Sequence, residues 1–289
     1  CHPYVLKEMD AARGGDLKAF DEAFWGHVGY TISNAARAMV MGLTGSHFVA
    51  VPNAGGKGVA PETRRYYQQL TRFSAAFAFL ADISMGTLGG ALKRKEKLSA
   101  RLGDILSLMY LASAALKRFE DEGRQAADAP LLHWAIWDCM FKAQNAFEGV
   151  IANFPNRLFA TLLRRVVVFP LGRPYFVPSD KLGHEVASLL INPSATRDRL
   201  TSDVYLPTDI EEPVGALEAA LQATIEVEPV EAKVRRAIKS GQFKPGVLVG
   251  GGVDGLYDLA LAAGIISRDE FGLVVRRGEL RDKVIRVDD

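Results

Sequence analysis

Residues 98–119, LSARLGDILSLMYLASAALKRF, decide the fold. Leu98, Leu102, Ile105, Met109, Ala112, Leu116 and Phe119 recur at alternating intervals of four and three, which winds them onto one face of an α-helix. Leu106, Leu108 and Leu111 widen that face beyond a single seam, so the reading expects a helix inside a bundle with neighbours on more than one side. Asp121, Glu122 and Gly123 then supply a polar stop.

The same period continues on both sides. Upstream, Pro61 suits a first helical turn, Glu62 complements the helix dipole, and Tyr66, Leu70, Phe73, Phe77 and Leu80 form one stripe. Gly89-Gly90 either ends that helix or marks a close helix crossing. Downstream, Pro130 opens a third long helix carrying Trp134, Trp137, Phe141, Phe147, Ile151 and Phe154. Three long helices on short links imply antiparallel neighbours in an up-and-down bundle. From His2 to Gly42 two helices are expected, broken at Gly14-Gly15, with Asp16 capping the second, and a glycine-rich loop covers 44–60.

Beyond Pro155 prolines at 170, 174, 178, 193, 207 and 213 divide the chain into short helices near 181–190, 214–226, 230–239, 254–263 and 267–284. Val166 to Phe169 could instead form a short strand, although no partner strand is evident. The expected fold is all-α: an antiparallel helical bundle over 1–155, then a region of shorter helices and proline-rich connections over 156–289 packed on it.

Composition narrows the function. Of 289 residues 48% are hydrophobic, enough for a sizeable core, and 35 basic against 34 acidic residues leave no field to draw in nucleic acid. Two cysteines, Cys1 and Cys139, build neither a disulfide framework nor a cysteine zinc site, which suits a reducing, cytoplasmic setting. The first residue is cysteine and no signal peptide is visible, so an upstream segment is expected. No run reaches the roughly 18–20 uninterrupted apolar residues of a bilayer span; the nearest, 158–170, is broken by Arg164 and Arg165, whose alternative use is to meet anionic headgroups.

The short motifs carry little chemistry. Gly250-Gly251-Gly252-Val253-Asp254-Gly255 has dinucleotide-loop spacing, but only Val247-Leu248-Val249 offers a strand before it. Gly55-Gly56-Lys57-Gly58 lacks the full phosphate-loop spacing and its hydroxyl residue. His184-Glu185 would begin a zinc-protease helix, but position 188 is serine. The five histidines show no ligand spacing, so no metal site is expected, and each reads as a cap or core-edge residue. Asp121-Glu122, Glu211-Glu212 and the run Lys93 to Lys97 read as caps and solvated faces. No catalytic residue is assigned.

Residues 61–124, PETRRYYQQLTRFSAAFAFLADISMGTLGGALKRKEKLSARLGDILSLMYLASAALKRFEDEGR, resemble the C-terminal region of the large bacterial long-chain acyl-CoA dehydrogenases. CHPYVLKEM at 1–9, NFPNR at 153–157, FPLGRPYFVPSDKLGHEVA at 169–187, ATRDRL at 195–200 and PVGALEAAL at 213–221 extend the resemblance over almost the whole chain. The stretches 53–58 and 241–256 depart from the family pattern.

The resemblance implies a parent flavoenzyme that binds FAD and oxidises acyl-CoA to trans-2-enoyl-CoA in fatty-acid β-oxidation, passing electrons to an electron-transfer flavoprotein. It places the catalytic glutamate and most flavin contacts upstream of Cys1, so this chain is expected to be non-catalytic. Its partners are then the rest of the dehydrogenase chain, further copies in a homo-oligomer, and a membrane surface, the parent lying at the inner membrane. The competing expectation is an independent helical module that binds a protein or a membrane.

Overall fold

The computed structural model describes residues 2–52, 58–245 and 252–285. Among them the chain forms α-helices and no strand, as the period of the sequence requires. It divides into two compact units, Cys1–Ile191 and Asn192–Asp289.

In the first unit, α1 (Val5–Gly14) ends where Gly15 takes a left-handed conformation, and Asp16 then caps α2 (Leu17–Leu43) by accepting the Ala19 amide. The bundle proper contains α3 (Arg64–Leu88), α4 (Glu96–Asp121) and α5 (Ala129–Ala152). Their antiparallel order is fixed by contacts at the ends. Glu120, late in α4, accepts the Ala60 amide and the Thr63 hydroxyl just before α3. Gly149, late in α5, leaves room for the Arg101 side chain near the start of α4.

The core follows the sequence pattern. Leu98, Ile105, Met109, Ala112, Leu116 and Phe119 of α4 are buried against Leu132, Ile136, Met140, Phe147 and Ile151 of α5. Each large side chain so enclosed contributes about 1.5–3 kcal/mol relative to an exposed one. The extra width of the α4 stripe is covered in part: α4 packs on both α3 and α5 and Leu108 lies against the core, while Leu106 and Leu111 remain 54% and 56% exposed.

Several boundaries differ from expectation for local reasons. Pro61 lies in a turn and α3 begins three residues later, because Thr63 spends its amide and hydroxyl on Ala60. Gly89, at φ +48°, ends α3, and a Cβ there would meet nothing within 4 Å, so no close crossing requires it. A 3-10 turn, Gly89–Arg94, leads into α4. With that turn, α3 is long and apolar enough to cross a membrane by length and mean hydropathy alone. Buried Gln68, Gln69, Arg72 and Asp82 on the same helix are those of a core element with polar partners.

The proline-marked change at 155 is not where the compact units divide. Residues 156–191 belong to the first unit, where α6 (Arg157–Leu162) continues into a π-turn, Leu163–Val168, rather than the alternative strand. Leu163, Val168, Phe169 and Tyr175 are buried in the bundle core, and α7 (Asp180–Ile191) packs on α5.

The second unit holds α8 (Ala195–Leu200), α9 (Pro213–Lys239), α10 (Gly252–Ala262) and α11 (Arg268–Ile285). Its core gathers Val227, Val230, Val234, Phe243, Tyr257, Ala260, Ile266 and Val274. Pro229 does not split α9 into the two helices expected from the sequence; the helix runs through it. An interior proline costs about 3 kcal/mol, and burial of Val227 and Val230 on either side opposes that cost.

Candidate functional site

The chemistry-bearing side chains that the fold brings together lie where α1, α2 and α3 meet. His2 precedes α1, and its Nδ1 accepts the amides of Tyr4 and Val5, each at 3.2 Å. This fixes the ring at the helix start. Its Nε2 lies 3.1 Å from Oδ1 of Asp82, a carboxylate on α3 whose side chain is 4% exposed. His27 on α2 directs Nε2 to the same Oδ1 at 3.7 Å, while its Nδ1 meets Glu8 of α1 at 2.8 Å. Thr31, one turn beyond His27, donates to Asp82 Oδ2 at 3.0 Å.

Aromatic rings wall the cluster. The His2 and His27 rings lie 4.4 Å apart, Tyr30 meets His2 edge-on at 5.3 Å, and Tyr4 stacks over His27 at 6.3 Å. Gly26 makes this approach possible: a Cβ there would fall 2.4 Å from Cε1 of Tyr4. The arrangement puts two imidazoles and a carboxylate oxygen within 4.8 Å of one another. Sequence spacing could not reveal it, because the three residues come from separate elements. The one local signal was His2 three residues before a helix start.

A second polar group is structural. Arg72 is buried on α3 and donates through Nη2 to the Val168 carbonyl at 2.7 Å; burial pushes its pKa below the ordinary value, against an opposing pull from Tyr175. Tyr175 is raised by its own burial. Tyr66 is pushed up to about 12, also by burial, and its hydroxyl meets Nδ1 of His133 at 2.7 Å. Burial likewise raises the Cys139 thiol, which favours an unreactive side chain.

The sequence candidates fall elsewhere. His184 lies exposed on α7 against the Asp180 carbonyl, and Ser188 donates back to the His184 carbonyl. Lys93 to Lys97 are exposed at the start of α4. Asp121 and Glu122 pair with Lys117 and Arg118, Glu211 pairs with Lys283, and Glu212 stands at the start of α9 with no side-chain capping bond. Arg164 pairs with Glu148 at 3.0 Å, while Leu158 and Leu162 beside it are exposed. Residues 53–57 lie outside the described residues, as do 246–251. Gly55, Gly56 and Lys57 and the strand and first two glycines of the dinucleotide motif therefore fall there, whereas Gly58 is described at φ +65° and Gly252 and Gly255 stand in α10.

Among the described residues, one surface depression is lined by Ala36, Arg37, Val40, Met41, Val49 and Thr71, and another lies beside Tyr110 and the Lys117–Asp121 and Arg118–Glu122 ion pairs. Both are open to solvent. A family model described as acyl-CoA dehydrogenase, C-terminal, bacterial type matches residues 1–289. No solved structure matches the chain.

Proposed function

The chain belongs to the family of bacterial-type acyl-CoA dehydrogenase C-terminal domains, and on that premise we propose that it is the non-catalytic helical part of an enzyme that oxidises acyl-CoA to trans-2-enoyl-CoA in fatty-acid β-oxidation. The single observation that carries the reading is the family match from the first residue to the last. In this reading FAD supplies the hydride-accepting chemistry. In this reading the flavin contacts and the α-proton base belong to another part of the enzyme.

The part played by this chain is then packing. On α2, Trp25, Ile32 and Leu43 share one face at steps of seven and eleven residues, with Trp25 67% and Ile32 63% exposed. An apolar helix face of this kind supports a role in docking against the catalytic part or a second subunit. Electrons leave through an electron-transfer flavoprotein, and the enzyme works on the cytoplasmic side of the inner membrane.

The test compares the isolated chain with the complete gene product in palmitoyl-CoA-dependent reduction of a dye acceptor. The chain alone is expected to be colourless and inert and the complete product yellow and active. Flavin bound by the isolated chain, or its turnover of palmitoyl-CoA, overturns the reading.

A second reading, a membrane-binding module, is favoured by Leu158, Leu162, Leu171, Phe176 and Val177, all exposed in a stretch that also carries Arg157, Arg165 and Arg173. Flotation with anionic vesicles separates the two, since the packing role requires none.

A further inference from the structure

We propose that His2 Nε2, His27 Nε2 and Asp82 Oδ1 form a binding site for one divalent transition metal of the zinc class. The two imidazole nitrogens lie 3.1 and 3.7 Å from the carboxylate oxygen, and all three atoms fall within 4.8 Å of one another. Zinc bonds of about 2.0–2.1 Å place tetrahedral ligand atoms about 3.3 Å apart, so shifts of roughly 1 Å bring the set to that spacing. Two nitrogens and one oxygen suit zinc and its transition-metal neighbours, whereas calcium and magnesium require shells of oxygen.

The groups around the three atoms point to the same use. Glu8 takes Nδ1 of His27 at 2.8 Å, the outer carboxylate that commonly orients a metal-bound histidine and leaves Nε2 as the ligand. Thr31 holds Oδ2 of Asp82, so Oδ1 is the oxygen turned to both imidazoles. His2 Nε2 is buried and makes no well-directed hydrogen bond, although Oδ1 is close.

His2 adds a chemical signature. Because its Nδ1 accepts two amide protons, the ring's own proton sits on Nε2. To ligate through Nε2 the ring must carry its proton on Nδ1 instead, so the Tyr4 and Val5 amides give up that acceptor when the metal binds. His27 Nε2 and Asp82 Oδ1 complete three protein ligands and leave a fourth position for water.

The experiment is calorimetric titration of the untagged, chelator-treated protein with Zn²⁺ at pH 7.5, with Co²⁺ absorption as a second probe. The expected result is one Zn²⁺ per chain and Co²⁺ bands that Zn²⁺ abolishes. His27→Ala and Asp82→Asn should each weaken binding at least tenfold, and Glu8→Gln by about tenfold. His184→Ala, on exposed α7, should leave it unchanged. Absence of saturable Zn²⁺ binding below about 100 μM overturns the proposal, and so does binding that survives His27→Ala. If a variant fails to fold by circular dichroism, the stoichiometry and Co²⁺ spectrum of the unsubstituted protein decide.

Discussion

Gln144 on α5 closes two hydrogen bonds on the backbone of Tyr175, its Nε2 donating to the carbonyl at 2.8 Å and its Oε1 accepting the amide at 3.1 Å. All four atoms are buried, and the pairing holds the proline-rich strap against the bundle, where the Tyr175 ring meets Phe73 and Trp137 edge-on. Replacing Gln144 by Leu strands an amide and a carbonyl away from water. A loss of about 2–5 kcal/mol in urea unfolding is expected, against less than about 1 kcal/mol for a surface substitution such as Gln125→Leu.

Gly215 stands on α9 under the Asp209 carbonyl, where a Cβ would approach to 2.1 Å. The obstacle is backbone, which cannot swing aside as a side chain does. Gly215→Ala should therefore cost about 1–3 kcal/mol despite the higher helix propensity of alanine. Gly278 on α11, with nothing within 4 Å of its Cβ position, is the control, and alanine there should raise the melting temperature.

Pro229 leaves the Ile225 carbonyl without an amide from the next turn. Pro229→Ala restores that donor and removes the ring from the preceding turn. The variant should be more stable by up to about 3 kcal/mol, read as a higher midpoint in chemical denaturation. A drop in stability would mean that the proline ring packs usefully.

Glu270 forms a capping box with Ser267 and pairs with Lys233 at 2.8 Å; the Lys233 bond is the largest cause holding its carboxyl below the usual range, followed by the Ser267 amide. A depressed folded pKa contributes stability above the unfolded value of about 4.3, and this is lost as pH falls through the folded value. Glu270→Gln should thus be less stable than the parent at pH 7 by about 0.5–1 kcal/mol, and the two should converge as pH falls below the folded value. Equal pH profiles for both proteins would contradict the assignment.

Ile32 on the exposed face of α2 distinguishes packing from folding, because it lies outside the bundle core. Ile32→Asp should leave the melting temperature of the isolated chain within about 2 °C. In the complete enzyme the same change should shift the oligomer distribution in analytical ultracentrifugation.

How much of this was legible in the sequence depended on the distance over which each feature is encoded. The α4 seam was readable because Leu98 to Phe119 declare their face within one element, and the Asp16 cap because a cap is a three-residue interaction. Ser267-Arg268-Asp269-Glu270 spells the cap of α11 in the same local way. The exposure of Leu106 and Leu111 was not readable, since width of an apolar stripe shows the need for partners but not their presence. Pro229 misled because the burial of Val227 and Val230 outweighs a local rule. The meeting of His2, His27 and Asp82 escaped because separations of 25 and 55 residues carry no period, and only the crossing of three helices brings them together.

The π-turn at Leu163–Val168 bears on how this chain tolerates change in length. Phe169 donates its amide to the Arg164 carbonyl five residues back, at 2.8 Å, so the turn accommodates one residue more than an α-helical ring would. Removing a single residue there would tighten the turn and rotate the downstream chain by about 100°. Phe169 would swing out of the core, and the Val168 carbonyl would turn away from the Arg72 guanidinium that donates to it. Half-buried Val167 can thus become isoleucine at little cost, yet a one-codon deletion in the same segment would be as damaging as the loss of an aromatic side chain.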